Sequence, residues 1–451
     1  MLLTTPSGRQ VLSIVGLLST LLLIATFFTH GEVYQDAIAK IPNPLSKAGP
    51  EKPHNKPAKH PKYKPKPTYV PPPIKDNFPL LQHSAPPPIP KWNVPKSTTL
   101  HRDYDLPVAP PLLIGFTRSW PILLQAVVSY VTAGWPADQI YVVENTGVQQ
   151  ANTRGQLTLQ NPFYLNHTVL RALGVNIIQT PTLLTFAQLQ NYYLSLTYSK
   201  NWPYYFWSHM DVLALSYEDG NEHTPKYSDK GYKPLYTLAL EALQKARRDP
   251  RFGTRWFSYD HLALVNPLAY EDVGGWDTMI PYYITDCDMH ARLAMRNWTM
   301  LDARAGIITD VSTTIDDLVA LYRVDGVEAK FTDPNPPPPK KEGDKPGRVR
   351  RRGDEKNDDE NLKRWRKLQR TADTMFHYKH GNRGRNTWQL GQHGGQGEPF
   401  YYNSAGFAEA IDVTTESGKE VFRRKWGHRD CDLREGAGLQ FADQWEVEKD
   451  F

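Results

Sequence analysis

The segment Tyr204–Leu215, YYFWSHMDVLAL, sets His209 and Asp211 one residue apart after an aromatic run. On extended backbone, side chains at i and i+2 point to the same face. An imidazole and a carboxylate so placed can share a divalent ion or its water shell. The same pair could also be a capping aspartate at a strand end beside a hydrogen-bonded histidine. A second acidic pair, Asp286 and Asp288 in DCDMHARLAMRN, opens a stretch with helical spacing. Both carboxylates then fall in a first helical turn, where they can cap free backbone N–H groups. Asp260-His261, in WFSYDHLALVN, is a third acid–imidazole pair on a predicted strand.

Elements upstream must position these groups. LLIGFT (112–117), QIYVVE (139–144), VNIIQ (175–179) and YYFW (204–207) read as short buried strands. Between them, 121–132, 164–173 and 186–198 have helical spacing. Strands alternating with helices predict a mostly parallel sheet flanked by helices. Ligands of such sheets sit beyond the carboxyl ends of the strands. Glu144, Asn145, His209 and Asp211 all fall at that edge. Downstream, 236–248 reads as an amphipathic helix, 256–266 as β-like, and Gly274-Gly275-Trp276 as a turn.

The chain has 451 residues, 38 prolines and a formal net charge of +5, which excludes a general polyanion binder. Two cysteines, Cys287 and Cys431, exclude a disulfide scaffold and leave pairing open. Val11–Thr29 carries no charge. About 19 helical residues cross the roughly 30 Å hydrocarbon core, so this run is expected to be a retained anchor. Arg9 before it, and Glu32 and Asp36 after it, place the rest of the chain in the lumen. Sequons at Asn166 and Asn297 suit that compartment, and lumenal placement argues against nucleic-acid partners. The expected organisation is a cytoplasmic tail (1–10), a transmembrane signal anchor (11–29) and a Pro/Lys-rich stalk (30–105). A catalytic domain (106–330) follows, with a nucleotide-binding half (106–215) and an acceptor half (216–330). A charged, Pro-rich disordered insertion (331–360) and a C-terminal part (361–451) complete it.

An anchor, a stalk and a lumenal α/β domain resemble a type II Golgi glycosyltransferase. The domain is similar to the GT-A fold of family 2-like enzymes. YYFWSHMDV stands where such enzymes carry a D-x-D motif, with Asp211 at its last aspartate and His209 in place of its first. VGGWDTMIPYYITDCDMHARL resembles their GGWD turn and the E-D-x-D-L-x-x-R-L helix after it, with Thr285 replacing the glutamate. The resemblance covers roughly 112–311 well and 361–451 thinly. It implies a nucleotide-sugar donor, a glycan or glycoprotein acceptor, and Mn²⁺ or Mg²⁺ held by Asp211, His209 and, from the FRRKWGH segment, His428. It implies donor binding by Glu144, Asn145 and Asp211, and acceptor binding by Gly275, Trp276 and Asp277. Asp286 becomes the catalytic base, since a carboxylate at a helix N-terminus can take the proton of an attacking hydroxyl. Asp288 supports it, and Arg423, Arg424 and Lys425 could face the diphosphate. Inversion is expected but retention stays open. The substitutions at 209 and 285 leave a second reading, a non-catalytic carbohydrate-binding or scaffolding protein on the same fold.

Overall fold

The computed structural model describes residues 61–65, 73–334, 359–381, 389, 393–399 and 403–449. The expected anchor at 11–29 and most of the charged insertion lie outside them. Among the described residues no helix is long and apolar enough to cross a membrane. One compact unit runs from Val70 to Phe451.

Its strands are β1 (Leu112–Phe116), β2 (Ile140–Glu144), β3 (Asn176–Gln179), β4 (Tyr205–Ser208), β5 (Val212–Leu215), β6 (Phe252–Phe257), β7 (Leu262–Val265), β8 (Thr299–Asp302) and β9 (Ile307–Asp310). Its helices are α1 (Trp120–Thr132), α2 (Gln149–Thr153), α3 (His167–Ala172), α4 (Phe186–Lys200), α5 (Leu235–Ala246), α6 (Pro267–Asp272), α7 (Thr285–Met295), α8 (Glu360–His380) and α9 (Ser404–Trp426). Seven strands form one sheet in the order β3-β2-β1-β4-β7-β6-β8. The first four are parallel, β7 runs antiparallel to both β4 and β6, and β8 is parallel to β6. The expected mostly parallel, helix-flanked sheet is present. Two details differ from the sequence reading. The apolar run after Asp211 is a separate strand, β5, paired antiparallel with β9. The β-like stretch 256–266 is a hairpin broken by Ser258 and Tyr259, both in the left-handed region at φ 61° and 56°.

The period-two alternation of strands divides the core into two layers. Leu112, Ile114, Phe206, Leu262 and Leu264 face the layer built by α1 and α5. Leu113, Tyr205, Trp207, Ala263 and Val265 face the layer built by α4, α6 and α7. The aromatics that precede His209 are therefore core. Helix starts follow local chemistry: Thr185 and Gln188 form a capping box on α4, and the side chains of Asn166, Asp359 and Asn403 cap α3, α8 and α9.

The stalk expected over 30–105 is overturned in its C-terminal part. Phe78 and Leu100 are buried, and the Asn93 amide donates to Thr132 O at 2.8 Å and Glu218 Oε1 at 2.9 Å. Short 3₁₀ turns dock through single residues, which leave no periodic signal to read. At the other end, Phe422 and Trp426 of α9 pack on Ile280, Ala291 and Leu433. Cys287 and Cys431 form a disulfide across 144 residues, resolving the open pairing. The folded protein is expected to show no reactive thiol and to show both after reduction and unfolding. Replacing either cysteine by serine should cost about 2–5 kcal/mol in denaturant titrations.

Candidate active site

The β2 end is built from within. The Glu144 carboxylate is fully buried. It accepts from Asn152 at 2.8 Å, from Gln179 at 2.9 Å and from Thr146 at 3.2 Å, and it lies 2.9 Å from His167 Nε2. Asn145 Oδ1 accepts from Leu184 N at 2.7 Å, and its amide donates to Leu184 O at 2.8 Å. Both residues were expected to touch the nucleoside. Their polar atoms instead knit the loops after β2 and β3 together, so they shape that edge from behind. Arg118 comes from the loop after β1. It is half-buried with its guanidinium 4.8 Å over the Phe407 ring, and burial lowers its pKa.

The β4 end is a charge cluster. Lys379, at the last turn of α8, brings Nζ to 2.7 Å from Asp211 Oδ2, 2.5 Å from Asp310 Oδ1 and 3.2 Å from Val311 O. Asp310 ends β9, and its Oδ2 lies 2.9 Å from His380 Nε2 and 3.7 Å from His261 Nε2. His209 Nδ1 is 3.7 Å from Asp211 Oδ1, and its Nε2 is 3.4 Å from Asp260 Oδ2. The His209 N–H donates to His261 O at 3.1 Å, fixing the two acid–imidazole pairs together. Burial alone would lower the His209 pKa, but the Asp260 and Asp211 carboxylates overcome it and push it up to about 10. Burial likewise opposes ionisation of Asp211, yet His209 and Lys379 hold it well below the usual carboxylate range.

This donor set does not fit a divalent ion. Every oxygen of Asp211 and Asp310 already faces a nitrogen, and the Lys379 ammonium sits between the two carboxylates. Among the described residues no group of three His, Cys, Asp or Glu side chains is set to hold a metal. His428, the expected third ligand, lies beyond α9 with Nε2 3.0 Å from Asp432 Oδ1. The expected Mn²⁺ or Mg²⁺ site of His209, Asp211 and His428 is therefore not assembled.

The two aspartates of the DCDMHARL motif lie on different faces of α7. Successive helical residues turn by about 100°, so Asp286 and Asp288 diverge by about 200°. Asp288 is fully buried, bound by Arg292 at 2.7 Å, Lys425 at 2.7 Å and Trp426 Nε1 at 3.0 Å. It is a structural anchor and not a supporting catalytic group. Lys425 also reaches Asp277 at 2.7 Å, while Arg424 and Arg423 pair with Glu420 at 2.7 and 3.8 Å. Each of the three has a carboxylate partner within the chain. Trp276 is 4% exposed and stacks on Tyr270, so it fills the core instead of offering a sugar-stacking face. Gly275, at φ +73°, lies so close to Asn191 that a Cβ would stand 2.8 Å from Oδ1. Asn191 clasps the Trp276 backbone at both N and O, 2.8 Å each. These residues hold the turn.

Asp286 remains half-exposed. It follows Ile284, a β-branched residue in the left-handed region at φ 70°, which is an unfavourable conformation usually retained for a reason. The exposed Tyr259 donates its hydroxyl to Asp286 Oδ2 at 3.3 Å. One helical turn on, His290 lies against Trp256, with ring centroids 4.9 Å apart; its Nε2 is buried without a hydrogen-bond partner, and burial lowers its pKa. Sequence reading missed Lys379 and Asp310. Asp310 had a signal, since it ends an apolar strand as Asp211 follows one. Lys379 had none among the other cations of α8.

No family model matches the chain, and no curated protein matches it. Solved structures similar to it include the mannosyltransferase PcManGT from Pyrobaculum calidifontis in complex with GDP-Man and Mn²⁺, at 14% identity over 45% of this chain and TM-score 0.27. The chain spans 60% of that protein. A cytidylyltransferase from Leptospira borgpetersenii matches at 10% identity over 46% of this chain and 82% of its own, with TM-score 0.26. Likenesses this distant settle neither the fold nor the chemistry.

Two outcomes follow from the cluster. Lys379→Met leaves two buried carboxylates without their shared cation and should cost about 3–5 kcal/mol in urea unfolding, with Asp211→Asn in the same chain recovering part of it. The raised His209 pKa contributes stability that is complete below its unfolded value of 6.5 and is lost as pH rises through about 10. The depressed Asp211 pKa contributes stability that is lost only in acid. His209→Gln should therefore flatten the alkaline limb of the stability–pH curve and, because His209 also helps hold the Asp211 and Asp260 carboxylates down, weaken the acid limb in part, as read by thermal melts across pH.

Proposed function

We propose that the chain is a membrane-anchored glycosyltransferase of the GT-A type that moves a sugar from a nucleotide-sugar to a hydroxyl of a glycan or glycoprotein. The observation that carries this reading is the β6–β7 hairpin. Its adjacent residues Tyr259 and Asp260 touch Asp286 at 3.3 Å and His209 at 3.4 Å. They therefore join the two motifs, 75 residues apart in sequence (286 − 211), into one site beyond β4. The position of these residues supports the proposal: they lie beyond the carboxyl end of β4 in a mostly parallel sheet, the edge where ligands of such sheets sit.

In this reading the acceptor hydroxyl oxygen attacks the anomeric carbon from the Asp286 side. The carbon–oxygen bond to the diphosphate breaks, and the nucleoside diphosphate leaves with its electron pair. Asp286 takes the hydroxyl proton, and the anomeric configuration inverts. Tyr259 holds the Asp286 carboxylate towards the acceptor. The engagement of Asp211 by Lys379 favours the second reading, a binding protein without turnover, and the same experiment separates the two. Asp286→Asn should keep nucleotide-sugar binding and lower transfer by about 10²–10⁴-fold. An unchanged rate, or no nucleotide-sugar consumed by the wild type with any acceptor, sinks the transferase assignment.

The apolar run 11–29 supports anchoring in a secretory-pathway membrane, with the domain in the lumen. Its test is glycosylation. Asn297 is exposed in a turn, whereas Asn166 is half-buried with its amide donating to Tyr164 and its oxygen capping α3. A lumenal chain should carry an endoglycosidase-sensitive glycan that Asn297→Gln removes; an unmodified chain from the native host counts against lumenal placement.

A further inference from the structure

The geometry points to a diphosphate site that works without a divalent ion, in which Lys379 stands where the ion would and Arg118 receives the phosphates. This rests on the transferase reading for its ligand, but its parts are independent of it. A strand-end carboxylate in such an enzyme needs a cation beside it. Here a covalently attached one is supplied: the Lys379 ammonium touches Asp211, Asp310 and the Val311 carbonyl, and is 4% exposed. A divalent ion entering this cluster would have to displace an ammonium already satisfied by three oxygens, or share their oxygens with it at repulsive distance. The histidine at 209 agrees with this, because it removes one of the anionic ligands a metal would use.

Lys379 cannot also serve the phosphates, since its three donors are committed. Another cation at the same edge is needed, and Arg118 provides it. It lies on the loop after β1, the strand beside β4, where ligands of a parallel sheet sit. Its guanidinium faces the Phe407 ring, and its electrostatic neighbours are Tyr282 and Tyr283. No carboxylate pairs with it among the described residues. A half-buried guanidinium without a counter-ion, with five donors in a planar fork, suits a bidentate phosphate ligand. Tyr282 and Tyr283 lie just before α7, the helix that opens with Asp286.

The probes are Mn²⁺ and inorganic pyrophosphate, applied to the full-length chain. Mn²⁺ titrated into the wild type and followed by electron paramagnetic resonance should stay free. Pyrophosphate should bind in the presence of EDTA by calorimetry, and Arg118→Ala should weaken it by about tenfold to a hundredfold, with Arg118→Lys recovering part. Lys379→Ala, which uncovers the carboxylate oxygens, should gain a Mn²⁺ site; the wild-type titrations need no variant to fold. Uptake of one Mn²⁺ by the wild type that Asp211→Asn abolishes overturns the inference, as does pyrophosphate binding that requires Mn²⁺ or ignores Arg118. Metal-free, Arg118-dependent pyrophosphate binding without any nucleotide-sugar turnover would uphold this site and reject the transferase reading.

Discussion

The Lys379 ammonium between Asp211 and Asp310 is the contact on which the arrangement of the site depends. It joins the link after β4, the end of β9 and the last turn of α8, three segments that share no local sequence. Two carboxylates brought together in a buried place repel one another, and desolvation adds to the cost. The sheet edge can hold them only with a cation between them. The contact therefore makes α8 part of the domain's core chemistry and not an appended helix. His261, His380 and His209 complete the shell, so that each carboxylate oxygen meets a nitrogen. A cluster satisfied to this degree is rigid, because moving one member leaves another buried and unpaired.

A second buried polar group holds the glycine turn and the start of α7 in the same manner. Asp288 gathers Arg292, Lys425 and Trp426, and Lys425 extends the connection to Asp277 in the glycine turn. The disulfide from Cys287 to Cys431 lies one residue away on α7. α9 and the segment after it thus brace the helix that opens with Asp286. Both long-range anchors come from the C-terminal part, which explains how a site whose motifs lie before residue 300 needs residues after 360 to exist.

The central strands were legible because a parallel strand buried on both faces is written as a short unbroken apolar run, as in LLIGF and IYVVE. The position of His209 and Asp211 at the carboxyl edge was legible for the same reason. The partners were not. Lys379 lies 168 residues from Asp211, in a helix crowded with other cations, and nothing local distinguishes it. Glu144 misled because an acid at a strand end looks alike whether it meets a ligand or four side chains of its own loops. Asp288 was open to a better reading: Arg292 stands four residues on, the spacing of an intrahelical ion pair, and that places Asp288 on the inner face. Docking of 74–104 left no trace in periodicity, since it rests on isolated residues such as Phe78 and Asn93.

Non-glycine residues with positive φ occur at several places in the fold, Arg323 and Trp445 among them, and three of them flank the contact between the β6–β7 hairpin and α7. Ser258, Tyr259 and Ile284 all take positive φ; Tyr259 reaches the Asp286 carboxylate, and Ile284 lies two residues before it. Residues of these types cost of order 1–3 kcal/mol each in such conformations, and they persist only where the surroundings impose them. The first two lie in the connection between the paired strands β6 and β7, and the third is the N-cap of α7. A relaxed hairpin and a conventionally capped helix would need neither the Tyr259 hydroxyl near Asp286 nor Asp260 near His209. The hairpin and the start of α7 together set a half-exposed carboxylate beside the charged edge of β4.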